Sequence, residues 1–451
     1  MRFDGQKVLV CGMARSGQAA AALLASLGAA VTAQDLNENI DWAYDPKDKG
    51  LSLYLGQNPD DIVGGFDLVV ISPGLSIYLP FVVKAKALGI PVWGEAELAF
   101  RLCPCPVVAI TGTNGKTTVT TLVGEILARH NPKTVVAGNI GIPLTSLMQD
   151  LTPDSIVVAE ISSFQLETAV NFKPSVSAVL NMTEDHLDRH KDMETYIEMK
   201  SRIFANQRHP DRAVLNYDNP ITRAMRPDCR VVWFSQNTVL PAGVYVRDGR
   251  VYARLDAAKD EQHIISLNGL NIMTENVLAA TALALCAGAD GSHIAAGLKA
   301  FKDVAHRREH VATIGGVEYI NDSKATNTDA AIKALESLTK PVVLIGGGYD
   351  KATDFTPWVK AFAGKVTRLI LIGQTAPQII EACNQVGFTT YEQVGSLQEA
   401  VNLAAKVAAP GQVVLFSPAC ASFDMFKNYE ERGDIFRDIV QSLNCNKGGT
   451  I

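Results

Sequence analysis

The chain has 451 residues, a formal net charge of −6, 47% hydrophobic and 20% charged residues. This is too long for one hydrophobic core and predicts two to four domains. The acidic balance argues against a nucleic-acid partner, which needs a basic footprint, and no apolar run approaches the ~18–20 residues of a membrane span.

The opening "MRFDGQKVLVCGMARSG" carries a charge soon after Met1 and then a strand pattern, unlike a signal peptide. "KVLVCG" (7–12) reads as a strand, 16–28 as an Ala/Leu helix and "AVTAQD" (30–35) as a second strand. "DLVVISPG" (67–74) and "PVWG" (91–94) continue the series. The turn "GMARSG" (12–17) approximates a dinucleotide fingerprint, but Ala14 fills the slot of the middle glycine. That glycine admits the backbone to a pyrophosphate, so NAD binding is weakened as an inference. A tight turn with no ligand is the alternative for Arg15.

"RLCPCP" (101–106) is a proline-marked linker. A second unit opens with "VVAITG", with strands near 134–137, 155–160 and 175–181. Residues 229–268 hold short β-like runs that read as antiparallel, and "TENVLAATALALCAGA" (274–289) reads as a helix. A boundary falls near "DVAHRREH" (303–310). Strand–helix alternation resumes in "GVEYIND", "PVVLIGGG", "TRLILIG" and "GQVVLFSPA". Strands alternating with helices throughout predict an α/β protein with parallel sheets. The expected domains are 1–98, 99–303 and 304–451. The eight cysteines are scattered, and Cys103-Pro-Cys105, the one close pair, lacks a second Cys/His pair for zinc. Reduced thiols are expected.

The densest signal is "ITGTNGKTTVTTLVGEILAR" (110–129). Val119, Leu122, Val123, Ile126 and Leu127 recur on one helical face, and "PVVAI" upstream is a buried-strand run. Strand, Gly loop and helix start together form a phosphate cradle. The loop is Gly112, Thr113, Asn114, Gly115, Lys116, Thr117 and Thr118. Lys116 would neutralise β/γ-phosphate charge and the Thr117 hydroxyl could ligate Mg²⁺. The spacing is not that of the common P-loop, whose first glycine would stand where Ile110 does.

"SIVVAEISSFQLE" places Glu160 at a strand end, and "SVSAVLNMTEDHLDRH" places His186 just beyond another. Ligands gather at such ends in parallel sheets. Alone, His186 reads as a surface loop histidine; with Glu160 and the loop it reads as a Mg²⁺ ligand. In "METYIEMKSRIFAN", Lys200 falls among Tyr196, Ile197, Ile203 and Phe204 at helical spacing. Either its amine snorkels to solvent, or burial lowers its pKa and the neutral amine can add CO₂ to give an anionic oxygen ligand suited to Mg²⁺. Near the C-terminus, "NDSKATN" brings Asp322, Ser323 and Lys324 to a strand end, with Asn327 or Thr328 as helix cap. "IGGGYDKATDF" supplies Lys351, "AHRREH" supplies Arg307, and "SPACASFDMFKNYEERG" follows an apolar strand.

The loop from Gly112 to Thr117 is similar to the ATP loop of the Mur ligase family, enzymes that form amide bonds in cell-wall precursors. "SSFQLE", "NMTEDHLDRH", "NDSKATN" and "SPACASFDMFKNYEERG" extend the resemblance over essentially the whole chain. It implies an N-terminal Rossmann-like domain, a central P-loop-type ATPase and a C-terminal Rossmann-like domain. It implies ATP-dependent addition of D-glutamate to UDP-N-acetylmuramoyl-L-alanine, with Mg²⁺, by a cytoplasmic monomer in peptidoglycan synthesis. Carried over, Lys116, His186 and Lys200 are catalytic, and Thr117, Glu160, His186 and carbamylated Lys200 hold the metal. Asn276, Arg307 and Asp322 join the loop in binding ATP. Arg15, Ser16, Asp35, Ser72, Pro73, Gly74, Asn139 and His186 meet the UDP substrate. Thr326, Lys351, Ser422 and Phe423 meet D-glutamate.

Two departures stand out. "GLNIMTEN" lacks the histidine that many relatives have before the asparagine matching Asn276, and Tyr429 stands where some have Phe. The alternatives are a ligase for another amino acid, a dinucleotide oxidoreductase and a non-catalytic UDP-sugar binder. Lys116, Glu160 and Lys200 together argue against the last. A hinge is expected near 301–310.

Overall fold

The computed structural model describes residues 2–258, 260–301, 305–351 and 353–447. Its strands form three sheets among these residues. The first contains β1 (Lys7–Cys11), β2 (Ala30–Asp35), β3 (Ser52–Leu55), β4 (Leu68–Ile71) and β5 (Val92–Gly94), in the order β3-β2-β1-β4-β5. Every pairing in it is parallel. β1 and β4 lie between helical layers, which is why they read as unbroken apolar runs. β3 is an edge strand with two exposed and two half-buried residues, so it has no such run and escapes the sequence reading.

The second sheet has nine strands: β6 (Val107–Thr111), β7 (Thr134–Gly138), β8 (Ile156–Glu160), β9 (Val176–Val179), β10 (Arg212–Asn216), β11 (Arg230–Ser235), β12 (Gly243–Arg247), β13 (Arg250–Arg254) and β14 (Gln262–Ser266). Their order is β14-β13-β12-β11-β10-β9-β6-β8-β7. The expectation of an antiparallel 229–268 is half right. β11 pairs parallel with both neighbours, and only β12, β13 and β14 run antiparallel. Asp248-Gly249, both at positive φ, close the β12–β13 hairpin. The helix Lys116–His130 buries the face predicted from its periodicity, and the helix Thr274–Cys286 shares its core.

The third sheet contains β15 (Glu309–Ile314), β16 (Val317–Asn321), β17 (Val342–Gly346), β18 (Val366–Leu371), β19 (Tyr391–Gln393) and β20 (Val413–Phe416), ordered β15-β16-β20-β17-β18-β19. Only β15 is antiparallel to its neighbour.

Contacts divide the chain into two compact units. One is Met1–Met182 with Glu194–Phe301; the other is Thr183–Met193 with Lys302–Ile451. The first two sheets thus share a unit, and the segment 183–193 groups with the third sheet instead of with the chain on either side of it. Residues 302–304, where the sequence reading puts a domain boundary and part of a hinge, lie outside the described residues.

Candidate active site

In the first unit, β9, β6 and β8 are neighbours, so their C-terminal ends bring three sequence motifs together. The loop after β6 depends on two glycines. Gly112 has φ +150, and a Cβ there would come 3.0 Å from the Leu180 Cβ; Gly115 has φ +84, and a Cβ there would come 2.7 Å from the Asn276 Oδ1. Gly115 caps the helix Lys116–His130 in the left-handed conformation, which an L side chain adopts only at a cost. Asn276 therefore lies against the loop even though its preceding sequence departs from that of many relatives.

Asn181, just past β9, holds the loop in shape. The Asn114 amide donates to its Oδ1 at 2.8 Å, its Nδ2 donates to the Asn114 carbonyl at 3.1 Å, and its carbonyl accepts from the Thr113 amide at 3.0 Å. Sequence reasoning missed this residue; the signal was an amide at a strand end inside "NMTEDH". The Lys116 amine folds into the loop, donating to the carbonyls of Gly112 at 2.9 Å and Thr113 at 2.8 Å.

Lys200 does not snorkel. It is 2% exposed, near the end of the helix Met193–Ser201, and its Nζ donates to the Gly112 carbonyl at 2.9 Å and the Thr111 hydroxyl at 3.3 Å. It also lies 4.9 Å from the Tyr196 ring centre. The amine therefore sits under the same glycine that shapes the loop.

Glu160, at the end of β8, is 1% exposed. Its Oε1 accepts from the Asn139 Nδ2 at 2.7 Å, while its Oε2 is buried without a hydrogen-bond partner. An orphaned, buried carboxylate oxygen is unfavourable on its own and suits a hard cation. Among the described residues no three His, Cys, Asp or Glu side chains gather as a ready-made metal cluster. A site here would combine Glu160 with the Thr117 hydroxyl and oxygens brought by other groups.

The predicted UDP residues Arg15, Ser16, Asp35, Ser72, Pro73 and Gly74 sit at or just past the ends of β1, β2 and β4, which are adjacent parallel strands. Asp35 is partly committed: its Oδ2 accepts from the Met13 amide at 2.6 Å and its Oδ1 from the Asn37 amide at 2.9 Å. Of that group, only Arg15 lines the adjoining cavity of about 720 Å³, whose other walls include Trp42, Tyr44, Lys49 and Ile142.

The second unit holds the remaining candidates. His186 starts a one-turn helix at φ 57, with its Nε2 3.7 Å from the Asp185 Oδ2. Asp185 is buried between the Lys351 Nζ and the Asn327 Nδ2, each 3.0 Å away. Burial alone would raise its carboxyl, but the charges of Lys351 and His186 and the Asn327 hydrogen bond outweigh this and hold it below the usual carboxylate range. Asp322, at the end of β16, accepts from the Ser417 hydroxyl at 2.8 Å and the Arg308 amide at 3.1 Å. Burial pushes it up to about 6 despite the nearby Arg307 charge. Thr326 is half-buried and Ser422 buried, whereas Phe423 is 67% exposed and packs edge-on to Tyr349. Lys324 donates to the Tyr429 hydroxyl at 2.6 Å, so this tyrosine has a role that a Phe could not fill.

Arg432, also missed, ties the two loops together. It is 1% exposed. Its Nε donates to the Ser323 hydroxyl at 3.0 Å, and its terminal nitrogens donate to the carbonyls of Ser323 at 2.7 Å and of Cys420 and Ala421, both at 3.1 Å. One guanidinium thus joins the loop after β16 to the loop after β20.

Comparison with known proteins agrees with this architecture. The model of the Mur ligase MurD-like N-terminal domain matches residues 6–94, that of the Mur ligase middle domain 110–284, and that of the Mur ligase glutamate ligase domain 306–420. The UDP-N-acetylmuramoylalanine–D-glutamate ligase of Thermoanaerobacter sp. (strain X514) is 45% identical over 98% of this chain and 100% of its own. The enzyme of the same name from Lachnospira eligens is also 45% identical, with the same coverage. Among solved structures, a pseudomurein peptide ligase type C from Methanothermus fervidus has TM-score 0.61 at 20% identity, covering 97% of this chain and 100% of that one. The UDP-N-acetylmuramate–alanine ligase of Thermotoga maritima has TM-score 0.59 at 19% identity, covering 97% and 99%. At those identities the structures speak for the fold; the sequence relatives and domain models speak for kinship, and the chain belongs to the Mur ligase family.

Proposed function

We propose that the protein is an ATP-dependent ligase that joins D-glutamate to UDP-N-acetylmuramoyl-L-alanine in peptidoglycan precursor synthesis. The observation that carries this is the gathering of Lys116, Lys200 and the half-satisfied Glu160 around one phosphate-type loop. A carboxylate is a poor electrophile at neutral pH, so it must first be activated. Its oxygen takes the γ-phosphoryl group of ATP, releasing ADP and leaving an acyl phosphate. The neutral amine of D-glutamate then attacks the acyl carbon, and phosphate departs with the amide formed. Such chemistry asks the protein chiefly for positioning and charge stabilisation.

Lys116, now turned onto loop carbonyls, would swing to the β/γ-phosphates, with Thr113, Asn114, Gly115, Thr117, Thr118 and Asn276 around the nucleotide. Thr117, Glu160 and a carbamate on Lys200 would hold Mg²⁺. When bound, the metal offsets charge on the transferring phosphoryl group. The carbamate forms as the neutral Lys200 amine adds CO₂ and loses a proton. The roles of His186, Arg307 and Asp322 rest on the resemblance. Arg15, Ser16, Asp35, Ser72, Pro73, Gly74 and Asn139 are assigned to the UDP substrate, and Thr326, Lys351, Ser422 and Phe423 to D-glutamate. The domain limits 1–98, 99–303 and 304–451, a hinge near 301–310, a cytoplasmic location and a monomeric state belong to the same reading. The test is phosphate release with UDP-N-acetylmuramoyl-L-alanine and a panel of amino acids. Release that requires D-glutamate supports the assignment; equal rates with L-glutamate contradict its stereospecific part.

A further inference from the structure

Neither thiol of Cys103-Pro-Cys105 has a part in the reaction above. The helix Glu95–Leu102 ends at Cys103, whose backbone is extended, because a residue before proline is pushed out of the helical region. Pro104 and Pro106 are exposed, so the segment is a short, accessible strap running into β6. Within it the two sulfurs lie 3.6 Å apart, and the Cys103 thiol also approaches the Cys105 carbonyl at 3.5 Å. Both cysteines are half-buried. Cys11, Cys383 and Cys420 are buried, and Cys229 and Cys286 are half-buried. A disulfide bond is about 2.05 Å long, so the sulfurs, 3.6 Å apart, need to close by about 1.5 Å.

We propose that Cys103 and Cys105 form a reversible redox-modification site, converted to an intramolecular disulfide by a low-molecular-weight disulfide. The Cys103 thiolate attacks one sulfur of the oxidant, forming a mixed disulfide and expelling one thiolate. Cys105 then gives up its proton and attacks the Cys103 sulfur, expelling the second small thiol. The protein dithiol loses two electrons and two protons, and the oxidant becomes two thiols. Burial and the neighbouring Cys103 push the Cys105 thiol up to about 12, which disfavours its thiolate and leaves Cys103 as the first nucleophile; the 3.6 Å separation of the sulfurs is what favours the second, intramolecular attack. The modified strap leads directly into β6, the strand that carries the nucleotide loop.

The experiment treats the reduced full-length chain with oxidised glutathione, alkylates the remaining thiols under denaturing conditions, and maps the peptides by mass spectrometry. The expected result is that the peptide holding both thiols loses the mass of two hydrogens and takes no alkyl group. Two of the eight thiols are then lost to alkylation, and dithiothreitol restores both. Cys105→Ser should instead trap glutathione on Cys103. Separate glutathione adducts on Cys103 and Cys105 in the unsubstituted chain, or full alkylation of both after treatment, would overturn the proposal.

Discussion

Replacing Arg432 tests whether one buried cation sets the geometry of the second unit's candidate site. Its guanidinium makes four hydrogen bonds, to the Ser323 hydroxyl and to the carbonyls of Ser323, Cys420 and Ala421. At about 1.5 kcal/mol for a hydrogen bond to a charged group, these contribute about 6 kcal/mol. Against this stands the cost of burying the charge. Burial pushes Arg432 from 12.5 down to about 10, which corresponds to about 3 kcal/mol. Arg432→Met therefore loses about 3 kcal/mol net, read as a lower urea-unfolding midpoint of the third-sheet unit. Arg432→Lys keeps the charge but has no planar fork to span both loops. It should fold, with a KM for D-glutamate raised more than kcat falls. If Arg432→Met lies within about 0.5 kcal/mol of the parent and Arg432→Lys leaves KM unchanged, the loops are held by something else.

Other perturbations address the first unit and the charge of the second. Gly115→Ala forces a Cβ to 2.7 Å from the Asn276 Oδ1 at φ +84; a penalty of about 1.4 kcal/mol should raise the KM for ATP about tenfold, and an unchanged KM refutes the strain argument. Lys200→Ala should lower turnover by roughly 10–100-fold and regain part of it with added acetate. Full activity without acetate contradicts the carbamate role. Asp322 has its folded pKa raised from 3.8 to about 6, so its contribution is fully present below about pH 4 and lost as pH rises through about 6. Asp322→Asn cannot ionise and should gain up to about 3 kcal/mol on the parent between about pH 4 and 7. Urea midpoints that keep a constant gap over that range would exclude this coupling.

Much of the fold is legible because strands buried on both faces leave unbroken apolar runs, as in β1, β4 and β6. The runs fail at edges: β3 has no buried residue, and its "SLYL" is too short to make a long apolar run. β11 looks like the hairpin after it because alternation reports burial, not the direction of the partner strand. In the site, the loop is readable since glycines, lysine and helix start are contiguous in sequence. Asn181 and Arg432 are not, because they act on backbone carbonyls and amides distant in sequence, which carry no residue identity. The grouping of 183–193 with the third sheet is equally silent, as its anchor is a pairing of Asp185 with Lys351 across 166 positions.

The most direct measurement follows product mass and phosphate together. With ATP, Mg²⁺, UDP-N-acetylmuramoyl-L-alanine and D-glutamate, one phosphate should be released for each UDP-N-acetylmuramoyl-L-alanyl-D-glutamate formed. Omitting any one component should stop both. Phosphate release that continues without D-glutamate, or an amide product formed without ATP, would contradict it.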